Sequence, residues 1–255
     1  MGTVSLVVEG PLARVTLSHP GKFNAMSQAM WRELKVMFDA LSACGSLRCV
    51  ILAGESGHFC AGGDISEYPA FRFDEAALRG FHEDEVWAAL QAVLDCPVPV
   101  LAQIAGNCMG AGIELASCCD IRVAGEGARF GAPIARLGFP MAPREAQLVA
   151  REAGIAVARA MLLEAAVFTA AEMQQRGFLN AVVADAAVLL EATLRAERIV
   201  ALAPQAARLN KHLLRSLQQE GGVSDALLAE AYRYAPTAEH REGVAAFLAK
   251  RPPIF

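Results

Sequence analysis

Two short runs constrain this chain more than any others. CVILA at 49–53 and VPVLAQI at 98–104 are almost wholly apolar, and each is followed by a glycine-rich segment. An alternating run would leave one face for water. A continuous apolar run of this length suits a strand buried on both faces. Ile121–Ala124 is a third. Between them lie stretches of helical period. Behind a capping Ser27, a helix to about Ala43 carries Met30, Leu34, Met37, Phe38 and Leu41 on one side. Residues 74–94 carry Phe81, Val86, Leu90, Val93 and Leu94, and a third helix is expected near 111–118. Strand–loop–helix alternation predicts an α/β fold with a largely parallel sheet covered by helices.

The chain opens with two alternating runs, Val4–Glu9 and Leu12–Ser18, which the Gly10-Pro11 turn makes into a hairpin. From about residue 141 onward it is mostly helical. Pro204 suits the first turn of a helix over about 204–218, with Leu209, Leu213 and Leu214 on one side and Arg208, Lys211 and Arg215 elsewhere. No low-complexity linker interrupts the chain. The expected division is a core over 1–200 and a helical region over 201–255.

Composition narrows the function classes. Of 255 residues 55% are hydrophobic and 20% charged, enough to bury a sizeable core. The net charge of −4 gives no electrostatic footprint for nucleic acid. No apolar run is long enough to span a bilayer, and the first residues lack secretory and myristoylation patterns. Seven cysteines without a Cys-x-x-Cys pair read as reduced, mostly buried thiols in a cytoplasmic protein. His58, His82 and His240 have no ligand spacing, so no metal is expected. The glycine-rich segments lack the lysine of a P-loop, the spacing of a dinucleotide-binding turn and the Gly-x-Ser-x-Gly of a serine hydrolase.

What remains is a pair of turns, HFCAGGDISEY at 58–68 and GNCMGAGIELASCCD at 106–120. Each follows a buried strand and offers small residues where a ligand can approach the backbone. A helix N-terminus presents free N–H groups and a positive dipole. Two such groups aimed at one point would stabilise an oxyanion. The second turn carries a single carboxylate, Glu114, within an otherwise apolar segment. It reaches water, caps the helix, or does chemistry with a raised pKa.

Together these pieces resemble the enoyl-CoA hydratase/isomerase family, the crotonase superfamily. The resemblance rests on KFNAMS at 22–27, FCAGGDI at 59–65, PVPVLAQIAGNCMGAGIELASCCDIRVA at 97–124, FGAPIARLG at 130–138 and EGVAAFLAKRPPIF at 242–255. It implies a ClpP-like spiral of β-β-α repeats with a C-terminal helical trimerisation region, assembling as trimers or dimers of trimers. It implies an acyl-CoA thioester substrate, with coenzyme A as part of that substrate and no tightly bound cofactor. The family's oxyanion hole falls on the backbone N–H groups of Gly63 and Ala111. Glu114 matches a family acid/base glutamate. The CoA-contacting segments fall on Lys22, Phe23 and Asn24, on Ala61, Gly62 and Gly63, and on Phe247 and Lys250. Asp64 reads as a cap rather than an acid.

The second family glutamate falls on Ile134, which cannot transfer a proton, and FPMAPREA at 139–146 replaces a glycine-rich segment. The resemblance therefore implies an enoyl-CoA hydratase-like enzyme using Glu114. The alternatives are an isomerase, decarboxylase or thioester hydrolase, with Arg136 or Arg144 holding a substrate carboxylate, or a non-catalytic acyl-CoA binder. A carboxylate from elsewhere facing Glu114, such as Glu145, would restore hydratase chemistry.

Overall fold

The computed structural model describes residues 1–220 and 223–255. Its strands are β1 (Thr3–Glu9), β2 (Leu12–Ser18), β3 (Cys49–Gly54), β4 (Val100–Ile104), β5 (Asn107–Met109), β6 (Ile121–Gly125), β7 (Arg129–Gly131), β8 (Val167–Thr169) and β9 (Ala181–Val183). Strands β1, β2, β3, β4, β6 and β9 lie side by side in that order in the main sheet. Only the β1–β2 hairpin is antiparallel there; Leu12 pairs with Cys49, Val50 with Val100 and Leu101 with Ile121 in parallel register. Strands β5, β7 and β8 form a second sheet.

The continuous apolar runs are explained by two buried faces. Val50, Leu52, Val100, Ala102 and Ile104 enter the main core. Cys49, Ile51, Ala53 and Leu101 enter a smaller core on the other face. The helices are α1 (Gln28–Ser42), α2 (Glu75–Gly80), α3 (Trp87–Asp95), α4 (Ala111–Cys118), α5 (Pro143–Ala153), α6 (Ile155–Leu163), α7 (Ala170–Gln175), α8 (Val188–Val200), α9 (Pro204–Glu220), α10 (Asp225–Ala231) and α11 (Ala238–Leu248). Ser27 Oγ caps α1 by accepting from the Met30 N–H at 3.2 Å. Met30, Leu34, Phe38 and Leu41 then face Leu90 and Val93 of α3 in the main core. The small core is closed by α8, whose Ala192 and Ala196 let the helix sit close to the sheet.

Three features depart from the sequence reading. Strand β4 begins at Val100 rather than Val98, because Pro97 and Pro99 have no N–H to donate to a ladder. The helix expected over 74–94 holds, but α2 passes into α3 through a π-helical stretch, Phe81–Val86. Lys211 and Arg215 are turned inward: Lys211 reaches Asp120 at 2.7 Å and the Val98 carbonyl at 2.8 Å, and Arg215 reaches Asp120 at 2.8 Å and the Cys118 carbonyl at 2.6 Å. Those contacts fasten α9 to the junction of α4 and β6. Pairing of this kind avoids a buried lone charge and fixes register more than it adds net stability.

The expected repeat is visible in the connections. Strand β4 leads to β5 and α4, and β6 leads to β7 and α5. After β3, Cys60 makes a parallel bridge to Cys108 of β5, and Gly63 makes one to Met26. Each turn of the spiral therefore carries the chain from the main sheet to the second sheet before a helix starts. All seven cysteines are free, six of them buried, and burial pushes the Cys60 thiol up to about 12.

Candidate active site

The two glycine-rich turns meet where the second sheet begins. Phe59 N–H donates to the Ala105 carbonyl at 2.7 Å, Cys60 N–H to Asn107 at 2.9 Å, and Met109 N–H to Cys60 at 2.9 Å. These bonds lock one turn beside the other. Gly110 precedes α4 with φ +50°, a conformation that side chains disfavour, and its Cα side faces Gly62. A Cβ on Gly112 would lie 2.6 Å from the Cys60 carbonyl oxygen, so only glycine lets α4 approach this closely.

The consequence concerns two N–H groups. Around Gly63, Met26 N–H donates to the Gly62 carbonyl and Asp64 N–H donates to the Met26 carbonyl, both at 2.8 Å. The Gly63 N–H falls on the other side of that ladder. Ala111 is the first residue of α4, so its N–H has no intrahelical partner. Among the described residues neither N–H donates to a protein acceptor. Gly63 and Ala111 line one cavity of about 390 Å³, together with Glu114, Tyr68, His82 and Ile134. Ala61 and Gly62 also line it. The cavity shares Tyr68, Arg72, His82 and Phe139 with an adjoining one of about 890 Å³.

Glu114 sits in the first turn of α4, after Ala111, so both face the same space. Its carboxyl is pushed up to about 8, first by burial and then by the negative charge of Glu145. The proton is thus held more tightly in the folded protein than in the unfolded chain. This group's contribution to stability is fully present below pH 4.5 and is lost as pH rises through about 8. The expected slope is about 1.4 kcal/mol per pH unit between those values. Glu114→Gln should remove that slope in urea denaturation across pH 5–8; an unchanged pH dependence would show that Glu114 titrates normally.

Glu145 lies near the start of α5, is 2% exposed, and has its Oε1 hydrogen-bonded to His82 Nδ1 at 3.0 Å. His82 stands on the π-helical stretch between α2 and α3. The five-residue step between the buried Phe81 and Val86 is the trace that turn leaves in the sequence, since a π-helical ring holds one residue more than an α-helical one. Tyr68 was missed by the sequence reading. Its hydroxyl lies against the Gly63 Cα, where a Cβ would collide with it, and burial pushes its pKa up.

The remaining expected residues make contacts of their own. Lys22 Nζ holds both oxygens of Asp64 at 2.9 and 2.6 Å and Ser66 Oγ at 2.8 Å. Asp64 caps the 3-10 turn Ile65–Ala70, as expected, with Oδ1 accepting from the Ser66 N–H at 3.2 Å. The Asn24 side chain is spent on the fold: Oδ1 accepts from the His19 N–H, and Nδ2 donates to the Glu55 and His58 carbonyls. Phe23 is exposed and stacks on His58 at 4.5 Å. Phe247, in the last turn of α11, and Lys250, just beyond it, are exposed and do not line the cavity of their own chain. Arg144 is paired with Glu83 at 2.7 Å, whereas Arg136 lines the cavity and reaches only the Ala165 carbonyl at 3.4 Å. No group of three or more potential metal ligands occurs among the described residues. No helix among them is long and apolar enough to cross a membrane.

The α/β spiral thus brings two N–H groups that have no protein acceptor among the described residues, and one carboxyl, into a single cavity. The sequence model described as enoyl-CoA hydratase/isomerase matches residues 8–255. The chain belongs to the enoyl-CoA hydratase/isomerase family, the crotonase superfamily. It is 33% identical to a 2,3-dehydroadipyl-CoA hydratase of Escherichia coli, over 94% of this chain and 93% of the relative. It is 31% identical to a short-chain-enoyl-CoA hydratase of Clostridium acetobutylicum, over 98% and 96%. A crystal structure of an enoyl-CoA hydratase/carnithine racemase from Magnetospirillum magneticum superposes with a TM-score of 0.95 at 40% identity, covering 100% of this chain and 96% of that one.

Proposed function

We propose that this protein hydrates the double bond of an enoyl-CoA thioester through an enolate, and catalyses the reverse dehydration. The observation that carries the reading is the pair of unpartnered N–H groups, Gly63 and Ala111, in one cavity with Glu114. The thioester oxygen accepts from both. Charge that develops there meets donors already in place, which costs no reorganisation. Glu114, protonated up to about pH 8, delivers its proton to the α-carbon of the enolate and takes it back in dehydration. CoA enters as part of the substrate. Incubation with a 2-enoyl-CoA should remove the conjugated thioester absorbance and add the mass of one water. Binding with no turnover across a panel of chain lengths would instead favour an acyl-CoA binder.

A specific observation favours an acyl group that ends in a carboxylate. Arg72 and Arg136 line the cavity, and neither is paired with a carboxylate among the described residues. The Arg72 guanidinium lies 3.5 Å over the Phe139 ring and 4.6 Å from the Tyr68 ring centroid, which orients it while leaving its N–H groups free. The name of the Escherichia coli relative points the same way. A carboxylate-ended enoyl-CoA should exceed its methyl-ended counterpart of equal length by about tenfold or more in kcat/KM. Equal values would remove this specificity.

The region 201–255 is read as the self-association surface. Phe247, Leu248 and Ile254 are 83%, 76% and 82% exposed, a large apolar area for one chain to leave in water. Sedimentation should find a trimer or a multiple of it; a monomer at micromolar concentration would contradict the assignment.

A further inference from the structure

Hydration needs two proton carriers, one to take a proton from water and one to protonate the α-carbon. Ile134 lines the cavity at the position where the family resemblance puts a second carboxylate, and it can be neither. We propose that His82, oriented by Glu145, is the second proton carrier of this site. The inference rests on the hydratase reading above and extends it to water activation.

Geometry carries it. His82 lines the same cavity as Glu114, Gly63 and Ala111. Its Nδ1 is 3.0 Å from a Glu145 oxygen, and the Glu145 side chain is 3% exposed. An ionised carboxylate only accepts, so the proton of this bond sits on Nδ1. Nε2 is then an acceptor, and it has no protein partner among the described residues. The arrangement matches a carboxylate that fixes an imidazole's tautomer and steadies its cationic form. The π-helical stretch that carries His82 is the kind of local departure that often accompanies a functional side chain.

Other charged groups stand near His82. On its own helical segment Arg79 is paired with Glu75, Glu83 with Arg144 and Glu85 with Arg32, while Asp84 makes no ion pair among the described residues. From the turn over 65–72, Tyr68 and Arg72 line the cavity, and from α4 Glu114 does so. Glu145, from α5, is the group that holds the ring.

In hydration, Nε2 takes a proton from water as the oxygen bonds to the β-carbon. The Cα–Cβ π electrons shift toward the thioester, and Gly63 and Ala111 hold the resulting enolate oxygen. The α-carbon then takes the proton of Glu114 as the carbonyl reforms. The product is a 3-hydroxyacyl-CoA. The cycle leaves His82 with one proton more and Glu114 with one fewer, and transfer between them restores the start.

His82→Gln and Glu145→Gln test this with two readouts. One is hydration of a 2-enoyl-CoA. The other is exchange of the α-protons of a saturated acyl-CoA in D2O, which needs the enolate site and Glu114 but no activated water. His82→Gln should lose about 10²–10³-fold in kcat for hydration, with KM little changed, while exchange continues. Glu145→Gln should lose at least about tenfold in hydration and likewise keep exchange. The wild-type hydration profile should be bell-shaped, and Glu145→Gln should displace its acidic limb. Wild-type hydration rates in a folded His82→Gln would overturn the proposal. So would parallel loss of hydration and exchange in a folded variant, which would make the pair a support for the whole site. A wild type that exchanges but does not hydrate keeps the enolate site and removes the role of His82. A wild type that does neither removes the hydratase reading itself.

Discussion

Glu114→Gln is expected to reduce turnover of a 2-enoyl-CoA by about 10³-fold or more while leaving the Kd for CoA product unchanged. Glutamine keeps the shape of the side chain and an oxygen and a nitrogen at its tip, so the cavity and the path of α4 should survive. What is lost is the exchangeable carboxyl proton. In the wild type that proton is retained up to about pH 8 because burial and the charge of Glu145 both disfavour the carboxylate. Glu114 acts as the acid in hydration, so wild-type kcat/KM in that direction should fall as pH rises through about 8. The residual activity of Glu114→Gln should lack that alkaline limb. A variant that turns over at the wild-type rate would place Glu114 outside the mechanism.

The second large effect concerns a single N–H. Ala111 is the first residue of α4 and 6% exposed, and its N–H has no acceptor among the described residues. Proline is well tolerated at a helix's first position, where no N–H is needed for the helix itself. Gly110 before it has φ +50° and ψ −112°, an extended mirror-image conformation that glycine can keep ahead of a proline. Ala111→Pro should therefore retain the helix while replacing the N–H with a ring carbon. Removing one oxyanion donor costs about 10²–10³-fold in kcat, and the ring carbon adds crowding to that loss. The comparison is kinetic, with circular dichroism and thermal melting to establish folding. Near-wild-type kcat in a folded Ala111→Pro would show that the thioester oxygen does not sit between these donors.

Much of this architecture was legible in the chain. CVILA and VPVLAQI read as doubly buried strands because parallel sheets hide both faces, and the two cores on either side of β3 bear that out. Glu114 stood out as a charge among apolar residues, and its raised pKa follows from the same surroundings. The short strands β5, β7, β8 and β9 were not legible, since three residues are too few to show a period of two. In the sequence His82 shows only the absence of metal-ligand spacing. Its role depends on Glu145, 63 residues away and brought to it by α5 packing against the core. A contact of that separation leaves no local pattern. Lys22 illustrates the converse: a residue that the family resemblance puts among the CoA contacts is tied to Asp64 and Ser66 in three dimensions.

The central claim is that Gly63 and Ala111 hold an enolate oxygen while Glu114 moves the α-proton. The most direct measurement is proton NMR of a saturated acyl-CoA in D2O with wild type, Ala111→Pro and Glu114→Gln. The account predicts loss of the α-proton signal with wild type and its persistence with either folded variant. Equal exchange by all three proteins, or no exchange by wild type alongside tight acyl-CoA binding, would contradict it.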